Sequence, residues 1–440
     1  MQKSSNVHII GIGGIGTSAV AKWFLHSGAT VTGSDTHPSD IIQNLKLRGV
    51  DVQIGHATAN VPEMCDLVVY SRAVSESNPE RQVARERGIT ELSFAQFLGQ
   101  LAKSYKTIAV SGTNGKSTTT AMIASILVEA GYDPSVIVGT QVPGWKDGNL
   151  RIGKGDWLVV EACEHMASML EIIPNIAVIT NIEEDHLDFY RDIDHIRETF
   201  QKWIDCKDKC ANIVLNKTDA ESQKLNAKYV DNFAVENRHT ENGKQIFDVA
   251  GVEVMLKIPG EFNAENAAAA LTVAHIAGVV DDVALKALAE FAGTWRRFEH
   301  VGEWHEASVY SDYAHHPTAV MGSIEAFREF FPDRRLVIVY EPHQHSRTHE
   351  LFDDFVSAFD GADVLILSEI YEVTGRTEKH FESSADLTEA INSRGKISKV
   401  LYAANHVEAE SHLRDVVEAG DVIVIMGAGS IDAVARKIAG

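Results

Sequence analysis

Lys116 follows a glycine turn, Gly112-Thr113-Asn114-Gly115, and precedes four hydroxyl side chains, Ser117, Thr118, Thr119 and Thr120. This is chemistry for a polyphosphate. Glycines let backbone N–H groups converge on phosphate oxygens. The ammonium neutralises the outer phosphates, and the hydroxyl of Ser117 suits Mg²⁺. Such a turn has to be held between a strand and a helix. The flanking residues supply both, with a β-branched apolar run at 107–110 and then AMIASILVEAG, apolar at helical spacing. The helix N-terminus adds a field that favours an anion. Gly112, Thr113, Asn114, Gly115, Lys116, Ser117 and Thr118 are therefore the expected nucleotide-phosphate set. The spacing departs from the usual phosphate loop, whose first glycine would fall at Val110.

A second glycine turn stands near the start. VHIIGIGGIG reads as a buried strand running into Gly11-x-Gly13-x-x-Gly16, followed by a helix and a second strand ending at Asp35. An acidic residue about 20 positions on completes a dinucleotide fingerprint. Taken alone it suggests a nicotinamide dehydrogenase. The fingerprint describes only a backbone approaching a diphosphate, so any nucleotide diphosphate suits it. The run DLVVYS places Ser71 at another strand end, and Asn78-Pro79-Glu80 opens a helix.

Polar residues recur just past apolar strands. DWLVVEACE puts Glu161 at a carboxyl end, and NIAVITNIEEDH ends at Asn181 with Glu183, Asp185 and His186 beyond. In a parallel sheet these ends lie beside the phosphate loop, so Ser117, Glu161 and His186 are the expected metal ligands. The carboxylate suits Mg²⁺, and an imidazole among the ligands also suits Mn²⁺. In IPGEFNAENAAAA, Asn263 and Asn266 precede an alanine-rich helix. They read either as caps or as amides facing a base edge, with Phe262 beside the ring. Arg296 and Arg297 mark a junction. Then come a strand ending at Asp312 with Tyr313, His315 and His316, and a strand ending at Glu341 with His343, His345 and Arg347. Together they suit an anion and a small amphoteric substrate.

Composition sets bounds on these readings. A chain of 440 residues needs two or three domains. The formal charge of −22, from 62 acidic against 40 basic residues, argues against a nucleic-acid surface. Four cysteines give no disulfide framework, and Cys206 and Cys210 lack the partners of a zinc site. The N-terminus has no signal-peptide layout and no apolar run spans a bilayer, so a cytoplasmic protein without membrane insertion is expected. The fold class is α/β, in three successive modules: residues 1–104 Rossmann-like, 105–293 a phosphate-loop ATP-binding module, and 294–440 a second Rossmann-like module.

GIGGIG, GSD, GTNGKSTTT, VEACE, TNIEEDHLD, GEFNAENAAAA, GTWRRF, DYAHHPT and PHQHSRT, in this order across almost the whole chain, resemble the Mur ligase family. These are ATP-dependent amide-forming enzymes of peptidoglycan precursor synthesis. The resemblance implies that Gly13, Gly14 and Ile15 meet the diphosphate of a UDP-sugar, with Asp35 and Ser71 in the same pocket. It implies that Lys116, His186, Arg297 and His315 act at the γ-phosphate and that Asn263, Asn266 and Asp312 serve the nucleotide. Tyr313, His343 and Arg347 would hold the amino acid. The implied substrates are UDP-N-acetylmuramate and L-alanine, joined through an acyl phosphate with Mg-ATP. Phe262 replaces a histidine of the family pattern, and Gln344 and His345 replace an arginine and a tyrosine. Another acceptor (glycine, serine or a peptide) and a non-catalytic UDP-sugar sensor stay open at this point.

Overall fold

The structure, a computed structural model, describes residues 5–187, 189–205, 212–241, 243–372 and 382–440. Cys206 and Cys210 lie outside them, and the described Cys65 and Cys163 are free thiols. The chain forms two compact units. One comprises the residues through Glu184 with Asp192–Ala234 and Ala267–Ala287. The other comprises Asp185–Arg191, Val235–Asn266 and Leu288–Gly440. The long helix Glu261–Ile276 contributes to both.

The first unit holds two sheets. In one, five parallel strands run in the order Asp51–Ile54, Thr30–Asp35, Asn6–Ile10, Leu67–Tyr70, Thr90–Ser93. The central strand is apolar at Val7, Ile9 and Ile10 because both faces are covered. The strand order reverses there, so the turn after Ile10 opens at a crevice where ligands of such sheets collect. Ser71 flanks the same crevice, its N–H donating to Ile10 O at 3.0 Å.

Beneath that turn lies a buried ionic network. Glu80, fully enclosed, accepts from Ser34 Oγ at 2.5 Å, Asn60 Nδ2 at 2.6 Å and Ala57 N–H at 3.1 Å, and pairs with His8 Nε2 at 3.1 Å. The helix that carries it starts cleanly, with Asn78 as N-cap and Pro79 in the first turn. Burial alone would push the Glu80 carboxyl up. The hydrogen bonds from His8, Ser34 and Asn60 overcome it and bring the group down to about 2. A carboxyl depressed by folding stabilises above its unfolded pKa, and that contribution is lost as pH falls through the folded value. Glu80→Gln is therefore expected to cost about 3 kcal/mol at neutral pH. Below the ordinary carboxyl pKa of 4.5 the gap to the wild type should narrow toward pH 2. Urea titrations of both proteins across that range check it, and a gap independent of pH contradicts it.

The second sheet of this unit runs Val230–Phe233, Asn212–Asn216, Ile176–Ile179, Lys106–Ser111, Trp157–Glu161, Ser135–Ile137, Leu150–Arg151, with only the last strand antiparallel. The strand leading to Lys116 thus lies between the strands that lead to Glu161 and to Asn181. The apolar run before Asn181 stops at Ile179, two residues short of the expected end, because Thr180 and Asn181 turn toward the phosphate loop.

The second unit has a six-stranded sheet in the order Glu299–Trp304, Ala307–Asp312, Val422–Met426, Leu336–Tyr340, Val364–Ser368, Lys399–Ala403, with only the first strand antiparallel. A three-stranded antiparallel meander, Glu236–Glu241, Lys244–Val249, Val252–Leu256, belongs to the same unit. Arg238 ties it to the helix Pro317–Phe330 by a two-pronged pair with Glu329, at 2.7 and 2.8 Å. Among the described residues no helix is long and apolar enough to cross a membrane.

Candidate functional site

The phosphate loop is braced from the neighbouring strand end. Asn114 N–H donates to Asn181 Oδ1 at 2.8 Å, Thr113 N–H to Asn181 O at 3.0 Å, and Thr180 Oγ1 to Asn114 O at 2.6 Å. Gly112, at φ +132°, lets the two backbones approach. A Cβ there would sit 2.1 Å from Thr180 Oγ1 and 2.9 Å from Asn181 O. Gly112→Ala should therefore lower stability by about 3 kcal/mol, through both the close contact and the backbone conformation. A thermal melt checks it, and an unchanged melting temperature contradicts it.

The first intrahelical bond of the helix Lys116–Glu129 is Thr119 N–H to Gly115 O at 2.9 Å. The N–H groups at the start of such a helix point along its axis toward the loop, in the direction from which an anion binds. Lys116 Nζ donates to Gly112 O at 2.5 Å, Thr113 O at 3.0 Å and Glu164 Oε1 at 3.0 Å. Burial works against its charge, but the carboxylates of Glu164 and then Glu161 outweigh burial and hold the ammonium above its ordinary pKa. The chemistry of this loop fits a polyphosphate. Glu161 ends the adjacent strand and accepts from Gly139 N–H at 2.6 Å through Oε1. Ser117 and Glu161 are hard oxygen donors, and Mg²⁺ needs only one or two such protein ligands beside phosphate and water. Among the described residues no three His, Cys, Asp or Glu side chains gather as a metal cluster.

At the first glycine turn the structure gives Asp35 a partner the sequence did not suggest. Its Oδ2 accepts from Gly13 N–H at 2.8 Å, so the carboxylate holds the turn itself. Gly14 is the N-cap of the helix Ile15–His26, without a side-chain cap. Asn149, fully buried, donates to Ser18 Oγ at 3.0 Å and, more closely, to Ile15 O, which fixes the start of that helix.

The second unit collects the other candidates. Arg347, buried, donates through Nη2 to Asp185 Oδ1 at 2.8 Å, and its Nη1 lies 3.4 Å from His343 O. Burial would raise the Asp185 carboxyl, but Arg347 and then His186 hold it well below the usual carboxylate range. His186 follows in a left-handed conformation, φ +54°, and donates its N–H to Asp185 Oδ1 at 2.7 Å. The His315 ring packs edge-on to Tyr313 at 5.1 Å and to His343 at 6.0 Å, and His343 stacks on Tyr371 at 5.5 Å. Burial and the Arg347 charge push the His315 imidazole well below its ordinary pKa, against the pull of Asp185. Its Nδ1 lies 2.9 Å from Tyr313 O. A carbonyl only accepts, so the neutral ring carries its proton on Nδ1 and leaves the Nε2 lone pair free for general-base work.

Arg296 and Arg297 both lie over the Tyr313 ring, at 5.1 and 5.3 Å. Arg296 is the buried one, capping Gly429 O at 3.1 Å. Asp312 uses both oxygens inside the fold, accepting from Phe298 and Ala314 N–H, each at 2.9 Å. Asn263 and Asn266 do not precede their helix, which begins at Glu261. They sit within its first two turns, buried, with Asn263 Nδ2 donating to Pro259 O at 2.6 Å and Asn266 Nδ2 to Asn263 Oδ1 at 3.4 Å. They are therefore not caps. The strand before His343 ends at Tyr340, and Glu341 is buried beyond it, paired with His406 Nε2 at 2.7 Å. His316 is buried at the N-cap of Pro317–Phe330, and His345 lies 3.5 Å from Glu372.

Thus Gly13, Gly14, Ile15, Asp35, Ser71, residues 112–118 and Glu161 fall in the first unit. His186, Asn263, Asn266, Arg297, Asp312, Tyr313, His315, His343 and Arg347 fall in the second. Sequence reasoning missed Glu164, Asp185 and Asn149 as partners. Glu164 and Asp185 stood in quoted motifs, but nothing in their spacing tied one to Lys116 or the other to Arg347.

Three family descriptions match successive stretches: "Mur ligase family, catalytic domain" over residues 6–106, "Mur ligase middle domain" over 110–274, and "Mur ligase, glutamate ligase domain" over 296–429. The chain is 37% identical to a UDP-N-acetylmuramate–L-alanine ligase of Caldanaerobacter subterraneus, across 99% of this chain and 98% of that one. It is 38% identical to the protein of that name from Thiobacillus denitrificans, across 98% and 97%. Among solved structures it is similar to the UDP-N-acetylmuramate–alanine ligase of Thermotoga maritima, with TM-score 0.85 and 27% identity over 98% of both chains. A murein peptide ligase of Psychrobacter arcticus shares the fold, with TM-score 0.72 and 23% identity over 99% and 98%. With end-to-end identity of this order and all three descriptions in sequence, the chain belongs to the Mur ligase family.

Proposed function

We propose that this protein is an ATP-dependent ligase that joins L-alanine to the lactyl carboxylate of UDP-N-acetylmuramate in peptidoglycan precursor synthesis, in the cytoplasm. The observation that carries the reading is the Lys116 loop standing inside a chain so similar, over its whole length, to ligases of that name. In this reading residues 1–104 bind the UDP-sugar, 105–293 bind ATP, and 294–440 bring the amino acid. Bound ATP, with Mg²⁺ or Mn²⁺, supplies the phosphoryl group that turns a carboxylate oxygen into a leaving group.

The chain's own residues do the rest. Lys116 and the first-turn N–H groups hold phosphate oxygens, and Arg297 adds positive charge against the repulsion between two anions. Ser117, Glu161 and His186 are the proposed metal ligands. Asn263, Asn266 and Asp312 line the nucleotide side, the last through the turn it braces. Gly13, Gly14 and Ile15 take the diphosphate on a turn fixed by Asp35, beside Ser71. Tyr313, His343 and Arg347 form the amino-acid pocket. The Nε2 of neutral His315 accepts a proton from the incoming amine.

A second reading keeps this chemistry with glycine, serine or a peptide as acceptor. Gln344, which stands where the family pattern has an arginine, favours it, because a neutral amide replaces a cation beside the acceptor pocket. Phosphate release from ATP, UDP-N-acetylmuramate and single amino acids decides between them. Release that needs both the sugar nucleotide and L-alanine supports the first reading. Release with another acceptor supports the second, and release with none contradicts both.

A further inference from the structure

An ammonium has three N–H donors. At Lys116 two go to the loop carbonyls of Gly112 and Thr113, and the third goes to Glu164 Oε1 at 3.0 Å. The carbonyl bonds fix the lysine against its own loop and leave one direction for an anion, and a carboxylate from the chain already stands in it. Glu164 is not a solvated neighbour. Only 4% of its side chain is exposed, against 17% for Lys116. It is presented by an unusual turn. Met166 and Ala167, neither of them glycine, both adopt left-handed conformations, at φ +53° and +54°. Arg72 holds that turn from the other side by donating to Met166 O, and lies 3.6 Å from Glu171. The backbone is thus kept in a costly conformation that delivers a carboxylate to the phosphate-binding lysine.

We infer that Glu164 is a resident counter-anion of the phosphate loop, occupying the one Lys116 donor left for a nucleotide phosphate, so that nucleotide binding must displace it. This rests on the reading of the loop as the ATP site. Before nucleotide binds, the pair keeps a half-buried lysine neutralised and the loop folded. When the nucleotide enters, the phosphate oxygen takes over the bond and Glu164 turns away. Nucleotide affinity is therefore lower than the loop alone would give, and a weakly bound anion such as inorganic phosphate competes poorly.

The test is equilibrium binding of ADP, without metal or sugar nucleotide, by calorimetry on the full-length wild type, Glu164→Gln and Lys116→Ala. Glu164→Gln keeps the shape and removes the competing charge. It should bind ADP about tenfold more tightly, the scale of one charge-assisted hydrogen bond. Glu164→Asp, one methylene shorter with the charge kept, should fall between the two and serves if the glutamine protein does not fold. ADP binding by the wild type that is lost in Lys116→Ala, with Glu164→Gln or Glu164→Asp binding as weakly as the wild type or more weakly, overturns the counter-anion and leaves the ATP site standing. No ADP binding by the wild type, or binding indifferent to Lys116, overturns the ATP site and the inference with it.

Discussion

Lys116→Ala should lower phosphate release with ATP, UDP-N-acetylmuramate and L-alanine by about a hundredfold to a thousandfold, the range for removing one preorganised donor. UDP-sugar binding should be unchanged. The first glycine turn is held by Asp35 and the helix start after it by Asn149, in bonds that do not involve Lys116. The variant also takes the ammonium from the buried carboxylate of Glu164, and breaking a buried ion pair by removing one partner costs about 3–5 kcal/mol. A loss of activity could then be read as a loss of fold. The double variant Lys116→Ala/Glu164→Gln separates the two, because it removes both charges. Its melting temperature should recover while turnover stays low. Recovery of turnover along with stability would show that Lys116 serves only the fold.

The same pair shows what a sequence can reveal. The loop was legible because its chemistry is local: glycines, lysine and hydroxyls stand together, between a β-branched run and a helix of 3.6-residue period. The parallel order of the sheets and the position of Glu161 followed from apolar runs that end in polar residues. Glu164 stands three residues beyond Glu161, yet no side-chain pattern announces its meeting with Lys116 or the left-handed turn at Met166 and Ala167 that follows it. Asp185 looked like part of an acidic stretch flanking His186. Its ion pair with Arg347 spans 162 residues of chain and is a product of tertiary packing alone. Asn263 and Asn266 misled in the opposite direction. Asparagine favours caps by propensity, but here a helix that begins earlier, at Glu261, encloses both amides and satisfies one with Pro259 O. Asp35 shows a further limit. The fingerprint located the acid correctly, while the structure turned it inward onto Gly13.

Arg347→Ala should raise the KM for L-alanine by about tenfold or more, the scale of a hydrogen bond to a charged group, and leave the KM for ATP unchanged. The side chain already has Asp185 on Nη2, so an amino-acid carboxylate bound as proposed would share a guanidinium whose fork offers further N–H donors near His343. Asp185 makes the arginine costly to remove for a second reason, because the enclosed carboxylate would lose its guanidinium. The comparison that isolates binding is again a double variant, Asp185→Asn/Arg347→Ala. It should melt close to the wild type and still show the raised amino-acid KM. Arg347→Lys retains the charge but not the fork, so it should recover part of the affinity and no more. An amino-acid KM that returns to the wild-type value in the double variant would make Arg347 a structural partner of Asp185 and remove it from the pocket. A rise in the ATP KM of equal size would move it to the phosphate side.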